Sequence, residues 1–379
     1  MHHFIFATKD SWINSGSNHD TGVSFKDQNY GKDEILEIKK EFFNDSFDYP
    51  TRALIYFDLT DLSSSLVSGK MQGDVRYYLR LYEAEGNKEL SENYIIAAHP
   101  LSQSWHEGVG SFADDPKTTT GVSWTNRQNK PGMTAVTWSV QEGAGYGTSR
   151  HGGHFLTGSG IASQSFDNSS PDIEMDITTI TRNWLNKTNQ NHGLILKFSG
   201  SHEDSSNADG SITFGQLKFF SSNTNTIYAP RLEVRWDDHV ACSGSNTGSL
   251  NALTMSGKVD NFLYMKGLRE RYRESEKVKF RIGARKRIIQ KTFSTSYQEV
   301  TGSYIAEGSG SYSILDVATG ETIVPFSAYT SMSCDTESSY FTQWLNGFYP
   351  NRVYRIIYKL KYDDGQEIIY DDNFDFKVK

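Results

Sequence analysis

The chain has 379 residues, with 38 Lys and Arg against 46 Asp and Glu, giving a net charge of −8 at pH 7. That charge and a pI near 5.7 argue against a general nucleic-acid binder. No stretch of eighteen apolar residues occurs, so no membrane-spanning helix is expected. The length suits two or three domains. Aromatic residues make up 13%, including 21 Tyr and 22 Phe, enough for a large core. Gly, Ser, Thr and Asn are abundant and long Ala/Leu/Glu/Lys runs are missing, which predicts an all-β fold.

Along the chain, "MHHFIFATKD" lacks a basic and an apolar leader region, so no secretory signal is expected. "TRALIYFDL" (51–59) and "VRYYLRLYEA" (75–84) alternate apolar and polar residues, as half-buried strands do. "GLILKF" (193–198) and "APRLEVRW" (229–236) repeat the pattern, with turn-rich segments such as "FADDPKTTTG" (112–121) between. Strands joined by long loops predict a jelly-roll-like sandwich for residues 1–240. "DIEMDITTITRNWLN" (172–186) reads as a strand and then a helix, with Ile177, Ile180, Trp184 and Leu185 on one face. Asp176 or Thr178 can cap its first turn.

"CSGSNTGSLN" (242–251) has no apolar period, so residues 241–252 read as a linker. Beyond it, "EKVKFRIGAR", "YSILDV", "ETIVPF" and "RVYRIIYKLKY" are strand-like, and "DVATGETI" and "YDDGQEI" supply hairpin turns. "FYPNRVY" places Phe348, Pro350 and Tyr354 as in the tyrosine corner of immunoglobulin-like sandwiches. Residues 253–379 are therefore expected to form a smaller immunoglobulin-like sandwich.

Several segments carry ionisable groups. In "SWHEGVG", His106 and Glu107 suggest an acid–base pair, but neighbours on a strand point to opposite faces, and the plainer reading makes Trp105 core. "GAGYGTSRHGGHF" (143–155) is neither a P-loop nor a dinucleotide fingerprint, because no helix pattern follows. His151 and His154 lack a third ligand nearby, so this segment reads as a loop. No EF-hand pattern appears, and the acidic loops read as solvated. Should calcium bind, Asp114, Asp115 and Asp204 are the first candidates. Cys242 and Cys334 stand 92 positions apart, in no metal-ligand spacing; two free thiols are expected, with a single bridge as the alternative. No nucleophile elbow or protease-like cysteine context is present, so no enzyme activity and no cofactor are expected.

Two surfaces remain. Sugar rings stack on exposed aromatics, and the loop candidates are Trp12, Tyr30, Trp138 and Tyr146, against the plainer reading that these are core. Residues 266–291 hold eleven Lys or Arg against three Glu. In "EKVKFRI", Lys277, Lys279 and Arg281 alternate with Val278, Phe280 and Ile282, giving one cationic and one apolar face. With Arg269, Arg271, Arg273, Arg285, Lys286 and Arg287 nearby, the face is either solvated or a docking surface for an acidic neighbour.

Residues 1–237 resemble the DNRLRE-type β-sandwich family, which is also treated as a carbohydrate-binding module family. The resemblance rests on "SWINSGSNHDTGVSFKDQNYGKDEILEI", "RALIYFDLTDL", "SQSWHEGVG", "GVSWTNR", "DIEMDITTITRNWLN", "NHGLILKF" and "APRLEVRW", in that order. In that family the tryptophan of "SQSWHEGVG" helps fill the core and the glycines make the turn that follows. The last third of the chain, from "KGLRERYRESEKVKFRIGARKR" through "NRVYRIIYKL", resembles structural proteins of tailed, particularly marine, phages. Together the resemblances imply a non-enzymatic virion protein, assembling with other virion proteins and with copies of itself. The alternative they imply is a carbohydrate-binding protein attaching to host or environmental polysaccharide. Neither a membrane nor a nucleic-acid partner is expected.

Overall fold

Period-two sequences dominate the chain, and each buries one side of a strand. In Arg76–Leu81, residues Tyr77, Leu79 and Leu81 are buried while Arg76, Tyr78 and Arg80 are half-buried on the other side. The computed structural model describes residues 1–40, 49–86, 93–139, 152–158, 160–167, 172–203, 215–256, 261–288, 293 and 302–379. The fold is all-β, built from several packed sheets with short helices as connections. Among the described residues, no helix is long and apolar enough to cross a membrane.

The chain divides into two compact units. One comprises Ile5–Ser68 and Arg76–Glu233; the other comprises Met1–Phe4, Gly69–Val75 and Val234–Lys379. The first four residues and the segment Gly69–Val75 thus cluster with the C-terminal unit, which nothing in the sequence signals.

In the larger unit, an antiparallel five-stranded sheet runs, in spatial order, Ala162–Asp167, Asn93–Pro100, Leu194–Phe198, Thr51–Tyr56 and Lys9–Asn14. A three-stranded sheet sets Gly215–Phe220 between Ile35–Lys40 and Glu83–Gly86. Ile13, Leu54, Leu101, Val122, Trp124, Trp138, Phe155 and Ile195 form one core cluster together with Trp105. Burying each of these large side chains contributes about 1.5–3 kcal/mol. The strand–helix reading of 172–186 matches the strand Ile173–Asp176 and the helix Thr178–Leu185. Asp176 Oδ1 accepts the Thr178 amide at 2.8 Å, and Ile180, Thr181 and Trp184 are buried.

In the C-terminal unit, two sheets share one core. Phe280 and Phe341 of one sheet meet Tyr312, Tyr358 and Phe376 of the other, and Tyr312 stacks on Phe341 with ring centres 3.7 Å apart. Both predicted hairpins form, with Gly320 and Gly365 at φ 74° and 85°, where a side chain is strained. The Tyr354 hydroxyl donates to the Tyr349 carbonyl at 3.2 Å, and Phe348 lies edge-on to its ring. The local device predicted from "FYPNRVY" is therefore in place.

The cysteine expectation is overturned. Cys242 and Cys334 are joined in a disulfide, and no free cysteine remains. Val240 donates to Ser333 Oγ at 3.0 Å and accepts from the Cys334 amide, which brings the two segments together. Such proximity comes from the tertiary fold and has no trace in a spacing of 92 residues. The segment read as a linker is itself folded: it carries the bridge and the turn of helix Gly244–Thr247, and Asn251–Ala252 pairs with Ser303–Tyr304.

Candidate functional site

Two surfaces stand out, one in each unit. The first is the outer face of the strand Lys277–Lys286. Val278, Phe280 and Ile282 face the core, while Lys277 and Lys279 are exposed and Arg281 is half-buried, as the alternation predicts. The face is held in place by its neighbours. Lys279 Nζ sits 3.8 Å from the Tyr340 ring centre and 3.2 Å from Asp335 Oδ2. Arg281 reaches Asp335 at 2.8 Å and Glu337 at 3.3 Å. Lys277 lies over Trp344, Arg285 over Phe262, and Arg269 pairs with Glu276. Burial alone would raise the Asp335 carboxyl; its bonds from Arg281, Lys279 and the amides of Glu337 and Ser338 outweigh that and hold it well below the usual carboxylate range. Arg271, Lys277, Lys286 and Arg287 are exposed. The face is thus a fixed pattern of both charge signs rather than a purely cationic stripe.

The second surface is a cavity of about 410 Å³ on the outer face of the three-stranded sheet. Its apolar lining is Trp12, Ile35, Ala84, Phe112 and Phe220. Its charged lining is Asp33, Glu37, Glu85 and Lys218. Ile35 and Glu37 alternate along Ile35–Lys40 as Lys218 and Phe220 do along Gly215–Phe220, so the pleat places all four on one face. Asp33 accepts from Trp12 Nε1 at 2.8 Å, Ser111 Oγ at 2.9 Å and the Phe112 amide at 3.0 Å. Lys218 Nζ and Glu85 Oε2 pair at 2.6 Å. Glu37 is nearly buried, accepting from Gln216 at 2.7 Å; Lys39 Nζ approaches its other oxygen to 3.1 Å without forming a hydrogen bond.

The loops carrying Asp33 and Phe112 are clamped by one side chain. Asn29 Nδ2 donates to the carbonyls of Glu107 and Val122, each at 2.7 Å. Its Oδ1 accepts the amides of Gly31 at 3.2 Å and Gly110 at 2.8 Å. Every hydrogen-bonding position of this buried amide is used. A Cβ on Gly108 would lie 2.2 Å from Asn29 Oδ1, and one on Gly121 only 2.4 Å from the Gly108 Cα. Those two positions, in "SWHEGVG" and "GVSW", admit glycine alone because backbone and amide approach so closely.

The same loop carries Trp105, His106 and Glu107. Trp105 is core, with Nε1 donating to the His192 carbonyl at 2.9 Å. Glu107 is occupied by the Asp10 amide and by Lys32 at 3.4 Å. The segment forms no strand, so the argument from opposite strand faces does not apply, yet Trp105 and Glu107 both bond to the surrounding scaffold.

Of the four aromatics considered for sugar stacking, Trp12, Tyr30 and Trp138 are 1–2% exposed and not open loop platforms. Tyr30 stacks on Trp12 with ring centres 3.8 Å apart, and Trp138 donates to the Ser123 carbonyl inside the core. Each was placed in a loop by its neighbours in sequence, but its ring turns inward to bury area. Of these three, Trp12 lines the cavity. Tyr146, His151 and Asp204 lie outside the described residues. His154 bonds Ser102, and Asp114 accepts the Ser111 amide at 2.9 Å. Asp115 is exposed, and among the described residues no group of three or more His, Cys, Asp or Glu converges to hold a metal ion. Sequence reasoning missed Asp33, Glu37, Phe112 and Phe220; the alternation of 35–37 and 218–220 was the one available signal.

No family model matches the chain, and no curated protein matches it. Among solved structures, the adhesin domain of Epf from Streptococcus pyogenes aligns over 98% of this chain and 92% of its own, at 8% identity and a TM-score of 0.16. A likeness that slight bears on neither fold nor function.

Proposed function

We propose that the protein is a non-catalytic structural component of a tailed-phage virion, docking on neighbouring virion proteins, including further copies of itself, through its β-sheet surfaces. The observation that carries this reading is the outer face of Lys277–Lys286, where long charged side chains are pinned by Asp335, Glu337, Tyr340 and Trp344. A charge pattern fixed before encounter loses little side-chain entropy on binding and sets orientation. The ordered motifs of residues 1–237 and the likeness of the last third to tailed-phage structural proteins support the same reading. So does the Cys242–Cys334 bridge, since disulfides persist in oxidising surroundings such as those a released particle meets.

The test is incorporation. Lys279→Glu and Lys277→Glu are expected to fold normally and to fall by roughly tenfold in purified particles, as like-charge contacts costing more than 1.4 kcal/mol would dictate. Equal incorporation of both variants would overturn docking through this face.

A further inference from the structure

We propose that the cavity of the larger unit binds a small organic cation, an ammonium group carrying apolar substituents. This goes beyond the structural role and depends on different residues. The walls of Phe112 and Phe220 with Ile35 and Ala84 offer apolar and aromatic surface, and Phe112 is 62% exposed at the rim. Aromatic faces attract cations through the ring quadrupole, most strongly where water is excluded.

The charges of the lining select the sign of the ligand. Three carboxylates face one lysine, and that lysine is already matched by Glu85. Asp33 accepts from three neutral donors, Trp12, Ser111 and the Phe112 amide, and among the described residues no cation pairs with it. Glu37 is more than nine-tenths buried, and one of its oxygens has no hydrogen bond. Lys39 approaches that oxygen and offsets part of its charge, which leaves Asp33 as the uncompensated negative group. An anionic ligand would be repelled here, and a neutral one would leave the Asp33 charge unanswered. A volume of about 410 Å³ takes an alkylated ammonium with room for a polar tail.

The source is either a free quaternary ammonium compound or a choline-type lipid headgroup, which share this chemistry. The full chain would be titrated calorimetrically with choline and with 3,3-dimethylbutan-1-ol, its uncharged isostere, and with galactose. Choline is expected to bind roughly tenfold tighter than the alcohol, since the aromatic faces and Asp33 act on its charge. Phe220→Ala and Asp33→Asn should each weaken choline binding by about fivefold or more. Glu85→Gln at the exposed rim, which frees Lys218, should weaken it too, and this variant decides the matter if Asp33→Asn fails to fold. Co-sedimentation with phosphatidylcholine vesicles would assign the headgroup as source; binding of free choline without sedimentation would assign the free cation. Equal affinity for the alcohol, tighter binding of galactose, an unchanged Phe220→Ala variant, or no choline binding would each overturn the proposal.

Discussion

Two ionic clusters, one in each unit, differ in burial and in what they can do. In the larger unit, Glu203 is fully enclosed: Arg52 bonds it at 2.8 and 3.0 Å and Lys197 at 2.5 Å, with all three side chains at most 5% exposed. Arg52 also stacks over Trp124 and donates to the Gly152 carbonyl. In the C-terminal unit, Lys279 and Arg281 meet Asp335 at the surface, with side chains 41%, 23% and 27% exposed. A buried triad ties its members to the fold, because desolvated charges cannot lose a partner cheaply. An exposed one costs little to rearrange, so it is available for recognition.

The largest effect should come from breaking the buried triad. Glu203→Gln leaves Arg52 and Lys197 short of their counter-charge and is expected to destabilise the larger unit by about 3–5 kcal/mol. Chemical denaturation would show it, and a loss below about 1 kcal/mol would mean that water reaches the triad. Next is the bridge in the other unit. Cys334→Ser releases a loop of 92 residues and should cost that unit about 2–4 kcal/mol, read as a lowered denaturation midpoint in non-reducing buffer.

Two carboxylates of the larger unit respond to pH in opposite directions. Burial raises Asp10 to about 7, against the bonds it accepts from Ser222. Its folded form therefore holds a proton that the unfolded chain releases near 3.8, and stability falls as pH rises from about 4 through 7. Glu203 behaves in reverse: burial would raise it, but Arg52 and Lys197 prevail and draw it to about 2. Its contribution is complete above 4.5 and is lost as pH falls toward 2. Asp10→Asn should remove the fall in stability that Asp10 contributes between about pH 4 and 7, so the variant should lose less on the alkaline side in melting experiments. An unaltered alkaline slope would refute the assignment of that slope to Asp10. The smallest effect should be Lys279→Glu on folding, within about 1 kcal/mol, because surface pairs contribute little. A large loss would show that the exposed face is structural after all.

What the sequence reveals of this molecule follows from range. Local devices were readable: the alternation of Lys277, Lys279 and Arg281 with Val278, Phe280 and Ile282, the Asp176 bond from the Thr178 amide, and the Tyr354 corner all depend on residues within a few positions. Long-range pairings were not. Arg52 meets Glu203 across 151 positions, Lys279 meets Asp335 across 56, and the two cysteines join across 92. The cavity was half legible, since strand periodicity aligns Ile35 with Glu37 and Lys218 with Phe220, but nothing local brings Trp12 and Phe112 to them. Trp12 and Tyr30 show the same limit, because residues in turn-like sequence bury their rings wherever the fold offers a partner.

The Asn29 clamp has a consequence for the order of folding. Its carboxamide bonds residues 78, 81 and 93 positions away, so no early hairpin or helix can assemble it. Loop-closure entropy must be met first by the sheets, and the clamp then closes the rim that carries Asp33 and Phe112. The cavity is therefore a late product of folding, and hydrogen exchange at the Gly110 amide should report the cooperative opening of the whole rim rather than a local flicker.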